Sequence, residues 1–314
     1  MTAVFLNTIS PMLMMFTCIV IGFVLNKKKI CPDNTASVLS KLEANVLGPA
    51  LTISTFGKYC TVASLSYQYQ RILFCLLIMA VAIGISCALA PLFTDKGYSR
   101  NVYRYALTFG NFGFMGNAIV PAILGEPALY DYMLFCLPIN LAAYTWGIAG
   151  LIPKSEGNRN PLKSLMNPSM LAVVIGMVLG LTGVNKYLPA FVGNTLSGLG
   201  SCMGPIAMVL TGFLIGQYPI KKLLSDRKVY IASALRLFIL PALFILLLKL
   251  LGADSTTLTL CLFAFGTPLG LNTVVFPAAY GGDPSTGVSM ATISHTVCVI
   301  TIPIMYALLT AFIL

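Results

Sequence analysis

Charged side chains are scarce in this chain: Asp, Glu, Lys and Arg make up 9% of its 314 residues, and there is one histidine. Apolar side chains make up 58%. A soluble protein of this length cannot hide so much apolar surface, whereas a lipid bilayer accepts it. The longest polar stretch, between Lys154 and Asn167, is too short for a soluble domain. The composition therefore predicts an all-α integral membrane protein.

Several catalytic and metal-binding motifs are also missing. The chain has no G-x-x-x-x-G-K-[ST] loop for nucleotide and no H-E-x-x-H pair for zinc. Its nine cysteines are scattered without C-x-x-C spacing, which predicts neither a disulfide framework nor a metal site. We therefore expect no ATP-driven transport, no enzyme activity and no cofactor. Two rival classes, an uncoupled channel and an intramembrane enzyme, stay open as alternatives to a carrier.

Ten apolar stretches are long enough to cross the hydrocarbon core of a bilayer. The first five are Val4–Leu25, Ser37–Phe56, Tyr69–Leu92, Val102–Leu124 and Leu129–Ile152. The second five are Ser169–Tyr187, Phe191–Gly216, Val229–Leu251, Thr256–Tyr280 and Thr286–Leu314. Proline or glycine predicts breaks in the second, fourth, seventh and ninth spans.

Lysine and arginine are concentrated in the loops after predicted spans one, three, five and seven, beginning with Lys27, Lys28 and Lys29. Basic loops stay on the cytoplasmic side, so both termini are predicted outside a plasma membrane. The net charge of +10 is explained by loops that face anionic lipid, and no nucleic-acid partner is expected.

One pattern occurs twice at an interval of about half the chain. Phe109-Gly110 precedes Pro121-Ala122, and Phe265-Gly266 precedes Pro277-Ala278. Because each half holds five spans, an odd number, the second half must be inverted relative to the first. The predicted organisation is a first repeat at 1–152, a cytoplasmic linker at 153–167 and an inverted repeat at 168–314.

Predicted spans four and nine each combine glycine, proline and asparagine at mid-membrane depth. A broken helix exposes backbone groups that protein, water or ligand must satisfy, and its half-helix N-termini attract anions. These segments therefore predict a substrate site. The predicted binding residues are Asn111, Gly113, Met115, Gly116, Asn117, Thr267, Pro268, Gly270 and Asn272. The predicted crossover or hinge residues are Pro49, Pro121, Pro205 and Pro277.

The same segments carry a family resemblance. Asn111, Met115 and Gly116 followed by Pro121 resemble the fourth-span signature of the auxin efflux carrier family. The phrase from Pro277 through Asp283, with Ser294, Thr301 and Pro303, resembles its ninth and tenth spans. The absence of a long central loop resembles the bacterial members.

The resemblance implies a scaffold domain and a transport domain, in which helices four and nine cross. It also implies elevator-type alternating access for a small organic anion, such as indole-acetate or a dicarboxylate like malate, and a homodimer. Because Thr267 stands where an asparagine would match Asn111, the site is expected to be asymmetric.

Ionisable residues within predicted spans each need a physical reason. Glu43 and His295 are the candidates for coupling transport to H⁺ or Na⁺. Structural roles are the alternatives: Glu43 would pair with Arg236 or water, and His295 would be hydrogen-bonded. Lys41 and Arg236 are expected to extend their charged ends to the membrane interface.

Overall fold

The computed structural model describes residues 2–95, 97–151, 167–279 and 282–314, and these ranges are helical apart from short connections. The predicted linker at 153–167 lies outside the described residues apart from Asn167, and so do Met1, Lys96, Ile152, Tyr280 and Gly281. The α-helices are α1 (Thr2–Lys27), α2 (Thr35–Leu42), α3 (Gly48–Tyr59), α4 (Val62–Phe93), α5 (Gly97–Thr108), α6 (Asn117–Leu124), α7 (Glu126–Phe135), α8 (Leu137–Ala142), α9 (Ile148–Leu151), α10 (Pro168–Thr182), α11 (Ala190–Gly216), α12 (Ile220–Leu223), α13 (Arg227–Ala234), α14 (Leu240–Leu250), α15 (Ser255–Phe265), α16 (Asn272–Ala279) and α17 (Ser285–Phe312).

Some of these helices are long and apolar enough to cross a bilayer. Within the described residues they are Thr2–Lys27, Gln68–Phe93, Ala190–Gly216, Arg227–Leu250 and Ser285–Phe312. A sixth candidate is the pair Glu126–Phe135 and Leu137–Leu151, which is bent by 46°. The other predicted spans correspond to shorter or interrupted helices. The structure thus supports a helical multi-pass membrane protein, while the count of ten spans stays a prediction.

Wider, π-helical turns interrupt the regular helices at four places in the described chain. They are Glu43–Leu47, Phe112–Gly116, Ala143–Gly147 and Leu235–Ile239. Such turns insert one extra residue and often occur at functional sites. The first of them ends two residues before Pro49, whose missing N–H and bulky ring disfavour a regular helical turn.

The predicted break in span seven is wrong. Pro205 lies inside α11, which continues without interruption from Ala190 to Gly216. Proline is tolerated in membrane helices where neighbouring groups satisfy the freed carbonyl.

Capping residues fix where several helices begin. Thr61 and Ser64 form a reciprocal capping box at the start of α4. Asn167 accepts a hydrogen bond from the Met170 amide at the start of α10, and Asp254 accepts one from the Thr257 amide at the start of α15. These short polar side chains satisfy amides that have no partner within their own helix.

The helices pack in two groups. The first group contains α1, the stretch from α2 to α3, α10 and α11: α1 lies along α11, and α3 packs against both α10 and α11. The second contains α4 to α9 and α13 to α17, in which α4 packs on α5, and α17 packs on α13, α15 and α16. The two groups also touch each other, since α17 packs along α1. Very close approach holds α1 to α11, since a Cβ on Gly212 would lie 1.8 Å from the Ile19 carbonyl oxygen. Small residues permit such contacts between membrane helices.

Candidate functional site

Two interrupted helical segments meet at the centre of the second group. The first leaves helical geometry after Thr108 and resumes it at Phe112, and the second does so after Phe265 and resumes at Asn272. The intervening strands of backbone run antiparallel, with Gly110 paired to Leu269. The backbone N–H of Asn111 donates a hydrogen bond to the Pro268 carbonyl at 2.7 Å. Each break therefore satisfies part of the backbone that the other exposes, as a buried irregular segment requires.

Side chains from neighbouring helices complete this crossing. The Ser294 hydroxyl of α17 accepts a hydrogen bond from the Leu269 amide at 3.1 Å. The Tyr132 hydroxyl of α7 donates to the Phe112 carbonyl at 3.0 Å. Two further helices, α7 and α17, therefore hold the two segments of the crossing in place through hydrogen bonds.

Close approach at the crossing depends on Gly110. A Cβ at this position would lie 2.4 Å from the Thr267 hydroxyl oxygen and 2.6 Å from an Arg236 guanidinium nitrogen. Gly113, three residues later, has open space around its Cβ position. The first glycine of the repeated Phe-Gly pattern is therefore required by packing.

A cavity of about 120 Å³ lies beside the crossing, between the two helix groups. Glu43 and Thr52 line it from the first group together with Ser169, Val173 and Met203. The second group contributes the two breaks, through Gly110 to Phe114 and Gly270 to Asn272, and polar residues of α8 and its neighbours. Its volume is sufficient for several water molecules or a small organic acid. The residues at the start of the half-helices that follow both breaks line this cavity, and the N-terminal end of a helix favours an anion.

The predicted binding residues divide into two sets. Five of them line the cavity: Asn111, Gly113, Asn117, Gly270 and Asn272. The other four, Met115, Gly116, Thr267 and Pro268, are not among its lining residues. Gly116 instead packs against the Tyr132 hydroxyl, and Thr267 packs against Gly110. These four therefore stay predictions as substrate-binding residues.

The predicted crossover prolines also lie away from the breaks. Pro121 and Pro277 lie inside α6 and α16, and Pro49 lies in the first turn of α3. The chain leaves helical geometry about ten residues earlier, at the Phe-Gly positions. These three prolines and Pro205 stay predictions as crossover or hinge residues.

Asn111 is held by the sole histidine. Its amide nitrogen lies 3.0 Å from His295 Nε2, while His295 Nδ1 lies 2.8 Å from the Ala291 carbonyl oxygen. A carbonyl can only accept, so Nδ1 carries the proton and Nε2 accepts from the Asn111 amide. The imidazole is buried behind Asn111, which leaves the asparagine's position fixed at the cavity wall.

Glu43 presents an unpaired carboxyl group to the cavity. Its side chain is 1% exposed, and neither carboxyl oxygen has a hydrogen-bond partner among the described residues. The expected pairing with Arg236 is wrong, because the described contacts of Arg236 lie at the crossing. An uncompensated ionised carboxylate in such a place is costly, so a proton or a cation must accompany it.

Three site features were not predicted from sequence. Arg236 is fully buried rather than extended to the interface. Tyr132 contacts the first break, and Tyr105 accepts a hydrogen bond from the Asn272 amide at 2.6 Å. The position of Arg236 deep within a predicted span could have indicated its burial. The sequence does not distinguish the two tyrosines from ordinary packing residues.

Crossed, interrupted helices beside a polar cavity are the arrangement that membrane carriers use. A sequence model of the membrane transport protein family matches residues 7–160 and 156–306. The chain belongs to this family, which is of the auxin efflux carrier type, so the resemblance is confirmed. It is also similar to an uncharacterized transporter from Methanothermobacter thermautotrophicus, with 22% identity over 244 residues, 76% of this chain and 77% of the relative. The family is one of transporters and not of enzymes.

Substitution of Gly110 by alanine is expected to disrupt the crossing. The new methyl group would meet Thr267 and the Arg236 side chain, and overpacking of this kind costs about 1–3 kcal/mol. We expect a clearly lower melting temperature of the purified protein in detergent for Gly110→Ala. Gly113→Ala, where the space is open, should melt like the wild type. Equal stability of the two variants would contradict this account of the crossing.

Proposed function

We propose that this protein is a secondary transporter that moves a small organic anion across the membrane by elevator-type alternating access. The observation that carries the proposal is the position of the cavity. It lies between the two helix groups, and both breaks contribute to its wall. Movement of one group relative to the other would expose such a cavity first to one side of the membrane and then to the other.

In this proposal the two helix groups act as a scaffold and a transport domain. The first group, with α1 packed on α11, is the scaffold. The second carries the crossing and moves with the substrate. The remaining parts of the proposal are ten spans in two inverted repeats, a plasma-membrane location with both termini outside, and a homodimer.

Anion recognition follows from the polar groups at the cavity. Asn111, Asn117 and Asn272 offer amide donors, and the half-helix N-termini add partial positive charge. A carboxylate of a mono- or dicarboxylic acid matches this set of donors. Small cavity volume favours compact acids such as malonate, malate or lactate over larger ones.

Glu43 is proposed to carry the coupling proton. Its carboxyl group faces the cavity from the scaffold side without a described partner. When protonated, the neutral Glu43 side chain would donate a hydrogen bond to a neighbouring substrate carboxylate. When ionised, it would repel that carboxylate. Proton binding and substrate binding would then favour each other. His295 is the less suitable candidate, since both of its ring nitrogens are engaged within the protein.

Uptake into proteoliposomes tests the transport proposal. We expect saturable uptake of at least one of labelled malate, malonate, succinate, lactate and indole-acetate. Asn111→Ala should reduce that uptake at least about tenfold, because it removes a donor to a charged group. Asn45→Ala is the matched control, since Asn45 is exposed and bonds only its own helix. Absence of uptake of every acid by folded, inserted protein would contradict the organic-anion proposal.

Removal of the Glu43 carboxyl group tests the coupling proposal separately. Glu43→Gln should abolish the stimulation of uptake by an inward proton gradient while exchange of substrate across the membrane continues. Glu126→Gln, at the exposed start of α7, should retain the wild-type response to the gradient. A Glu43→Gln protein with an unchanged response to pH would refute this role.

A further inference from the structure

Arg236 is the one arginine that the described structure buries completely, and it lies at the helical ends of the crossing. Its Nη1 donates to the carbonyl of Leu107, in the last turn of α5, at 3.4 Å. The centre of its guanidinium lies 5.6 Å from the ring of Phe265, the last residue of α15. The side chain thus contacts a carbonyl in the last turn of α5 and the aromatic ring of the last residue of α15.

No carboxylate balances this charge within the described residues. The ion pairs found there are those of Arg71 with Asp131 and Asp254. The Arg236 Nε has no hydrogen-bond partner, and the titratable side chains that interact with it are the phenol of Tyr132 and the thiol of Cys261. Compensation for the guanidinium must therefore come from dipoles rather than from an acidic side chain.

The half-helix ends supply a compensating charge of the right size. Each helix C-terminus carries roughly −0.5 of an elementary charge on its unsatisfied carbonyl groups. Two such ends sum to roughly −1, which balances one guanidinium. Without that cation, the negative ends of two helix dipoles would lie near each other in a buried place.

In carriers with broken helices, unwound carbonyls and half-helix C-termini are the groups that coordinate a transported Na⁺. We propose that the Arg236 guanidinium is a built-in cation that takes this place, so that the crossing neither binds nor needs Na⁺. The consequence for ion coupling rests on the proposed transport function, whereas the role of Arg236 at the crossing does not. Arg236 is then a positioning residue: it holds the two half-helix ends together and leaves the N-terminal ends, on the cavity side, to the anion.

Two consequences distinguish this role from simple packing. The wild-type protein should be indifferent to the choice of monovalent cation. Removal of the guanidinium should leave a vacant site of carbonyl oxygens, which an added monovalent cation can fill. A residue that only occupies volume would be replaced by methionine without creating any cation requirement.

The test measures the melting temperature of the purified protein in detergent. Values in millimolar sodium, lithium or guanidinium chloride are compared with the value in choline chloride at equal ionic strength. For the wild type we expect one melting temperature in all four salts. Arg236→Ala should melt several degrees lower in choline and recover part of the loss in guanidinium or sodium. Arg236→Lys should stay independent of the cation, since it keeps a charge. Arg227→Ala, an exposed arginine on α13, is the matched control and should show neither effect.

Arg236→Met guards against a variant that fails to fold. If Arg236→Ala and Arg236→Met are unfolded in choline, extraction in guanidinium or sodium should recover folded protein. Failure of every cation to stabilise or recover either variant overturns the proposal, and so does selective stabilisation of the wild type by sodium. The assay needs no substrate, so a negative uptake panel would remove the organic-anion proposal without deciding this one.

Discussion

The structure depends on the antiparallel pairing of two interrupted backbone segments. A break in one membrane helix leaves N–H and C=O groups without partners in a medium that offers none. Here the backbone N–H of Asn111 donates a hydrogen bond to the Pro268 carbonyl. The backbone N–H of the next residue, Leu269, donates to the Ser294 hydroxyl. Gly110 is the position that lets the segments approach so closely. Neither break is satisfied alone, which explains why the two have to occur together.

The crossing separates two kinds of electrostatic environment. The Leu107 carbonyl near the end of α5 accepts a hydrogen bond from Arg236, and the Phe265 ring at the end of α15 packs against its guanidinium. The residues that begin the following half-helices line the cavity. One face of the crossing is therefore suited to a cation and the other to an anion. The cation face is filled by the chain's own guanidinium, whereas the anion face borders a cavity with an unpaired carboxyl group from the opposite helix group.

Much of this site follows from the sequence, because the repeated Phe-Gly and Pro-Ala pattern marks both interrupted segments. Asn111 and Asn272 were predicted at the site because polar residues in an apolar segment need a polar neighbour. The exact position of the two breaks could not be predicted, since it depends on a hydrogen bond between Asn111 and Pro268, which lie in different halves of the chain. Met115 and Gly116 are not among the residues that line the cavity, and the sequence alone does not reveal the π-helical turn in which both lie. Arg236 was misread since hydropathy does not reveal which carbonyl groups a basic side chain will meet.

The central claim is that the two helix groups move relative to each other. Tyr187 and Glu126 are both exposed and lie in different groups. Spin labels at these two positions, in a variant without the native cysteines, would report the movement in lipid by double electron–electron resonance. A second pair, at Glu126 and Thr256, lies within the second group and serves as the reference. The account predicts two distances for the first pair, with populations that shift with pH or substrate, and one constant distance for the second. A single distance for the first pair under all conditions would contradict alternating access by movement of these groups.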